Sequence, residues 1–230
     1  MSILYVIGTP IGNLKDITLR ALKILQAVDV IACEDTRRSL KLLNTFKIKK
    51  PLISCYAHNE KKTASKIIKI LSEDKNIAYM SDAGTPGISD PGAFLVSTVR
   101  ALGFKVVPVP GVSALSTLMS VSGFPEKSVL FEGFLSLKTG KRRNRLKELL
   151  DRKEGFVIYE SPYRILKLLK EMAELSPDRP IIVGREMTKV HEEYISGSAS
   201  LVLEKLENRT KLAGEFSVLV SGNKGLISKV

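Results

Sequence analysis

The sequence is poor in the residues that hold metals. Its 230 residues include only two cysteines, Cys33 and Cys55, and two histidines, His58 and His191, and the cysteines form no CxxC pair. No metal site is expected, and both cysteines read as buried thiols in a reducing cytosol. Long apolar runs are missing as well. The apolar stretch nearest the N-terminus, Ile3–Ile7, is far shorter than a signal-peptide core or a membrane span, and no basic segment precedes it. An unexported, cytoplasmic protein without a membrane is therefore expected. Two nucleotide signatures are absent: Gly8 and Gly12 stand in a GxxxG rather than a GxGxxG spacing, and no GxxxxGK[ST] follows any apolar run. ATP and NAD are disfavoured, although the acidic pair Glu34/Asp35 sits where a dinucleotide fold grips a ribose hydroxyl. Acidic residues are in deficit too, with 24 Asp and Glu against 36 Lys and Arg, a net charge of +12. A polyanionic partner fits that imbalance, because each cation that neutralises a phosphate releases a counterion.

What is present is a regular alternation. Short β-branched runs at Ile3–Ile7, Asp29–Cys33, Leu52–Tyr56, Ile77–Ser81 and Lys105–Val109 read as strands. Between them Thr18–Val28, Ser39–Phe46, Ala64–Leu71 and Phe94–Leu102 repeat apolar residues at helical spacing. This pattern predicts five parallel strands with crossover helices. After Gly123-Phe124-Pro125 the pattern changes, with strands expected at Val129–Phe134, Phe156–Glu160, Ile181–Arg185 and Glu215–Val220 and helices near Arg145–Asp151, Ile165–Leu175 and Ala199–Leu206. The expectation is an α/β protein of two domains, residues 1–124 with a parallel sheet and residues 125–230 with a mixed one.

In open parallel sheets ligands sit at the carboxyl ends of strands. That rule selects the loops Gly8–Leu14, Glu34–Arg38, Ser81–Gly92 and Pro110–Ala114. The third is dense in Gly, Pro and Asp, as a ligand-binding turn would be.

Seven motifs, GTPIGNL at Gly8, CEDTRRS at Cys33, SDAGTPGISDPG at Ser81, PGVSA at Pro110, YESPYR at Tyr159, REMTKVHEE at Arg185 and GEFSVLV at Gly214, run nearly the whole length of the chain. In that order they resemble the tetrapyrrole methylase superfamily, and within it the branch that modifies small-subunit ribosomal RNA. The resemblance implies a homodimer, S-adenosyl-L-methionine held in a cleft between two α/β domains, and 2'-O-methylation of a cytidine ribose in small-subunit (16S) ribosomal RNA or the small ribosomal subunit. It assigns cofactor contacts to Pro10, Ala83, Gly84, Thr85, Ile88, Ser113, Ala114, Glu160 and Met187. The superfamily's Gly-Asp-Pro turn is here Gly84-Thr85-Pro86. Two rival readings are methylation of a tetrapyrrole ring carbon and a nucleic-acid-binding protein without catalysis.

Methyl transfer to a ribose hydroxyl needs two reactants placed in line and help with one proton. Asp35, beside the cation Arg37, is the first choice for the proton, with a helix N-cap as its alternative role. His58 is the second choice, with a loop or cap role as alternative. Arg185, Glu186 and Lys189 read either as a surface network or as part of the cofactor site. Tyr163 and Arg164 are candidates to stack on or grip a nucleotide. The densest positive run, Lys138, Lys141, Arg142, Arg143 and Arg145, is read as a loop leading into a helix that lays its cations along a phosphate backbone.

Overall fold

The computed structural model describes residues 2–223. The chain divides into two compact units between Ser113 and Ala114. The division lies ahead of the boundary expected at Gly123-Phe124-Pro125, because the helix Ala114–Ser122 packs with the second unit.

The first unit holds strands β1 (Ile3–Ile7), β2 (Val30–Cys33), β3 (Leu52–Ser54), β4 (Ile77–Met80) and β5 (Lys105–Val109), with helices α1 (Leu19–Ala27), α2 (Thr36–Thr45), α3 (Glu60–Ser72) and α4 (Ala93–Ala101). All strand pairs are parallel, in the order β3-β2-β4-β1-β5. The chain first moves outward from β1 to β2 and β3, then returns through β4 and crosses β1 to reach β5. Since crossovers keep one hand, the reversal of direction places α1 and α2 on one face and α3 and α4 on the other. The core divides accordingly. Ala21, Leu25, Leu42 and Leu43 pack on Ile7, Ile31 and Met80, while Ala64, Ile67, Leu95 and Val99 pack on Leu4, Ala32 and Tyr79. The thiols of Cys33 and Cys55 are buried and free, and burial pushes the Cys55 thiol up to about 12.

The second unit begins with α5 (Ala114–Ser122) and holds β6 (Val129–Phe134), α6 (Thr139–Asp151), β7 (Gly155–Glu160), α7 (Ile165–Leu175), β8 (Pro180–Arg185), β9 (Glu193–Ser198), α8 (Ala199–Glu207) and β10 (Phe216–Val220). Its sheet, in the order β6-β7-β10-β8-β9, is mixed: β6 and β7 are parallel, the other pairs antiparallel. Helices α6, α7 and α8 bury Leu146, Leu168, Met172 and Val202 on one face, against Ile158, Ile181 and Val183. Strand alternation turns Gly184 to the opposite face, where Leu118 of α5 and Met187 close over it.

The basic run at Lys138–Arg145 differs from its expected form. It lies within the first two turns of α6 rather than in a loop, and its arginines are occupied. Arg142 is 2% exposed and makes a bidentate pair with Glu171, at 2.9 and 2.7 Å. Arg143 pairs with Glu174, and Arg145 with Glu132 and Glu148. Carboxylates from α7 and β6 thus neutralise the arginines expected to face phosphates.

Candidate functional site

Strands β1 and β4 are neighbours whose following connections leave for opposite faces, so a crevice opens between them at their carboxyl ends. Main-chain contacts build its floor. Thr9 and Gly84 form an antiparallel bridge, with Thr9 N donating to Gly84 O at 2.8 Å and Gly84 N donating to Thr9 O at 3.1 Å. Gly8 N donates to Val109 O at 2.9 Å. A Cβ on Gly8 would stand 2.7 Å from the Gly111 nitrogen, so the backbones after β1 and β5 touch only because both positions are glycine. Gly84 itself takes φ +73°, and a Cβ there would contact Ile11 and the Val112 carbonyl. Three of the four loops selected from the sequence therefore meet around one point. With them come Pro10, which is buried, and Ala83, Thr85 and Ser113, which are half-buried, while Ile88 is exposed. Ala114 opens α5.

The fourth loop approaches through charge. The Asp82 carboxylate accepts from the backbone N–H of Asp35 at 2.9 Å and pairs with Arg38 at 3.3 Å. Asp35 is the N-cap of α2: Oδ1 accepts from Arg37 N at 2.8 Å, and the two carboxylate oxygens accept from the Arg37 guanidinium at 3.2 and 2.9 Å. Those bonds hold the Asp35 carboxyl down to about 2, so it is an anion throughout the physiological range. His58 lies exposed on the loop after β3, its ring 6.4 Å from that of Tyr56 in an edge contact.

One acid that the sequence reading passed over, Asp90, stands out beside Glu34. Burial, reinforced by the charge of Glu34, raises the Asp90 carboxyl to about 6, and burial beside Asp82 also raises Glu34. Asp90 and Asp82 both lie inside the SDAGTPGISDPG segment. The signal available was an acid inside a turn-rich loop at a strand's carboxyl end, a place where burial raises a carboxyl's proton affinity.

In the second unit Glu160 ends β7 with its side chain fully buried. Its Oε1 accepts from Ser161 N at 2.7 Å and pairs with Arg164 at 2.6 Å, which occupies Arg164, while Oε2 has no hydrogen-bond partner. A buried carboxylate oxygen without a donor fits a ligand that brings a hydroxyl or an amine. Met187 is buried between two non-glycine residues in the left-handed region, Glu186 at φ +49° and Thr188 at φ +67°. Such strain persists where surrounding structure enforces it. Glu186 accepts from Lys189 and from Glu215 N, Lys189 also pairs with Glu215, and Arg185 donates to Ala213 O and pairs with Glu193. Arg185, Glu186 and Lys189 thus form an internal network. Tyr163 is 95% exposed. Among the described residues no cluster of His, Cys, Asp and Glu has the make-up of a metal site, and no helix is long and apolar enough to cross a membrane.

Known proteins resemble this chain over nearly its full length. A protein of Borrelia garinii subsp. bavariensis named ribosomal RNA small subunit methyltransferase I is 49% identical, with 95% of this chain and 98% of the relative covered. The protein of the same name from Thermotoga maritima is 47% identical, covering 97% of this chain and 100% of the relative. Among solved structures, the cobalt precorrin-4 methyltransferase of cobalamin biosynthesis shares the fold with a TM-score of 0.70 at 18% identity, over 95% of this chain and 94% of the other. The uroporphyrin-III C-methyl transferase of Thermus thermophilus, complexed with S-adenyl homocysteine, gives 0.65 at 17% identity, over 95% and 96%. The likeness to these structures is one of fold. Residues 3–202 match the family described as Tetrapyrrole (Corrin/Porphyrin) Methylases, and the chain belongs to it.

Proposed function

We propose that this protein is an S-adenosyl-L-methionine-dependent methyltransferase that acts on the 2'-hydroxyl of a cytidine in small-subunit ribosomal RNA. The observation that carries the reading is the meeting of the loops after β1, β4 and β5, at the carboxyl edge of a parallel sheet, in a chain 49% identical over 95% of its length to a relative named as a small-subunit ribosomal RNA methyltransferase. The cofactor supplies a methyl group on a sulfonium. The Gly84-Thr85-Pro86 turn, with Pro10, Ala83, Ile88, Ser113 and Ala114, is proposed to hold it, and the Thr at the centre of the turn is tolerable where backbone groups make the contact. Glu160 and Met187 are proposed as further contacts, Glu160 through its unpartnered Oε2.

The ribose hydroxyl is a poor nucleophile, so a nearby group must orient it and take its proton as the new O–C bond forms and the S–C bond breaks. Asp35 and Arg37, locked together, suit orientation and charge better than proton acceptance. We propose Asp90, whose carboxyl burial raises to about 6, as the acceptor, with His58 as the competing group. Each of Asp35→Asn, His58→Ala and Asp90→Asn is to be measured in single turnover. The acceptor is the residue whose loss lowers the rate by about two orders of magnitude with cofactor affinity intact.

The decisive assay offers labelled S-adenosyl-L-methionine with small ribosomal subunits that lack the modification, and separately with uroporphyrinogen. Label in a cytidine 2'-O-methyl group supports the reading; label in the tetrapyrrole, with none in RNA, overturns it. A protein that binds RNA but no cofactor at millimolar concentration would be a binding protein without catalysis. A homodimer and a cytoplasmic location complete the proposal. Light scattering of the purified protein tests the first, and cell fractionation the second.

A further inference from the structure

The arginines of α6 are paired with glutamates, and two lysines for which no ion pair is seen among the described residues, Lys62 and Lys66, share a groove in the first unit. Strand β3 is the outer strand of the first sheet and pairs only with β2. Between its free edge and α3 runs a groove with a cavity volume of about 640 Å³. Tyr56, 41% exposed, and Lys62 and Lys66, both exposed, line it. The two lysines stand four residues apart on α3 and so share one helix face. The floor is already satisfied: Asn59 accepts from Tyr56 N at 2.8 Å and donates to Ser54 O at 3.1 Å, and the Thr63 hydroxyl donates to the same carbonyl at 3.1 Å. No carboxylate lines the groove. Among the described residues neither lysine has an ion pair, in contrast to Arg142, Arg143 and Arg145.

We propose that this groove binds a single-stranded segment of the substrate RNA, with phosphates on Lys62 and Lys66 and a base stacked on Tyr56. The inference rests on the RNA reading above. A cationic groove with an exposed aromatic ring is the combination that recognises unpaired nucleotides. Tyr56 follows the carboxyl end of β3, the same edge that carries the cofactor loops. Strand β4 lies two places away, about 10 Å at the usual strand spacing, a short reach for a nucleic-acid strand. A second copy of this chain fits the edge poorly. β3 has three residues, too few for strand addition, and a copy would bring the same lysines against these.

The test measures binding of a fluorescent single-stranded RNA by anisotropy across salt concentrations, with cofactor affinity by calorimetry and melting by circular dichroism as controls. The double variant Lys62→Gln/Lys66→Gln is expected to raise the dissociation constant about tenfold or more and to flatten the salt slope by about 1.4. Tyr56→Ala is expected to raise it about fivefold or more with the slope unchanged, and Tyr56→Phe to restore binding. Cofactor affinity stays at the wild-type value throughout. Variants that bind RNA like the wild type with the same slope overturn the proposal. So does a change of oligomeric state without a change in RNA binding, which would give the edge to a second copy. Failure of the wild-type protein to bind any RNA while it binds cofactor would overturn the functional reading itself, a result distinct from failure of the groove.

Discussion

At the scale of single residues, burial and geometry assign different work to similar side chains. Asp35 and Asp90 are both aspartates at the carboxyl edge of the first sheet, yet one is held near 2 by a guanidinium and the other near 6 by burial. The second shift makes stability depend on pH. The ordinary aspartate value is 3.8, so between about 4 and 6 the folded protein binds more protons than the unfolded chain and stability falls as pH rises. Asp90→Asn removes that loss. The melting temperature of the variant relative to the wild type should therefore climb from pH 4 to pH 7; a constant difference would mean that Asp90 titrates normally. Asp35→Asn should behave otherwise, since Asn caps a helix as well as Asp, and the midpoint of denaturant melts should stay close to that of the wild type. Gly8→Ala is predicted to be the harsher change. Its methyl would meet the Gly111 backbone at 2.7 Å and push the two loops apart, lowering cofactor affinity at least tenfold in calorimetry.

At the scale of elements, legibility followed burial. All five strands of the first sheet were readable because strands covered on both faces become β-branched runs, and Ile77–Met80 is buried at every position. One α-helix and one strand were missed. Helix α5 buries only Leu118 and leaves Met119 and Val121 exposed, so its apolar residues do not mark one covered face. Strand β9 is an outer strand with the polar sequence EYISGS, paired on one side only. The first turns of α6 were misread for a different reason. Lys, Arg and Asn signal solvent, and only tertiary structure shows that Glu171 of α7 draws Arg142 into the core. Arg142→Gln should accordingly destabilise the protein by about 3 to 5 kcal/mol, because Glu171 is left buried and unpaired. Arg142→Leu with Glu171→Leu should recover most of that loss in urea melts, and RNA affinity should be unchanged in the folded double variant. The site was legible to the level of loops. Their turn residues announce themselves in sequence, whereas the partnership of Asp82 with Asp35 and Arg38, supplied from a neighbouring strand, does not.

At the scale of the whole molecule, a net charge of +12 states that a polyanion is favoured but not where it binds. Pairing is more informative than count, since the arginines of α6 are spent on glutamates while the lysines of the β3 groove are not. The cofactor acts on the molecule as a whole as well. A ligand that binds only the folded protein stabilises it by about 2.7 kcal/mol at a hundredfold excess over its dissociation constant, so S-adenosyl-L-methionine should raise the melting temperature by several degrees in a thermal-shift assay. An unchanged melting temperature at that excess would argue against the assignment.

The bridge between Thr9 and Gly84 is main chain to main chain, seconded by the Thr9 hydroxyl, which donates to Gly84 O at 3.4 Å, and Gly8 meets Gly111 through backbone atoms. Loops fixed in this way are ordered before any ligand arrives, so binding has little conformational entropy left to remove from them. Amide hydrogens at Thr9 and Gly84, each already donated to the other's carbonyl, should exchange slowly in the free protein and gain little further protection when cofactor is added.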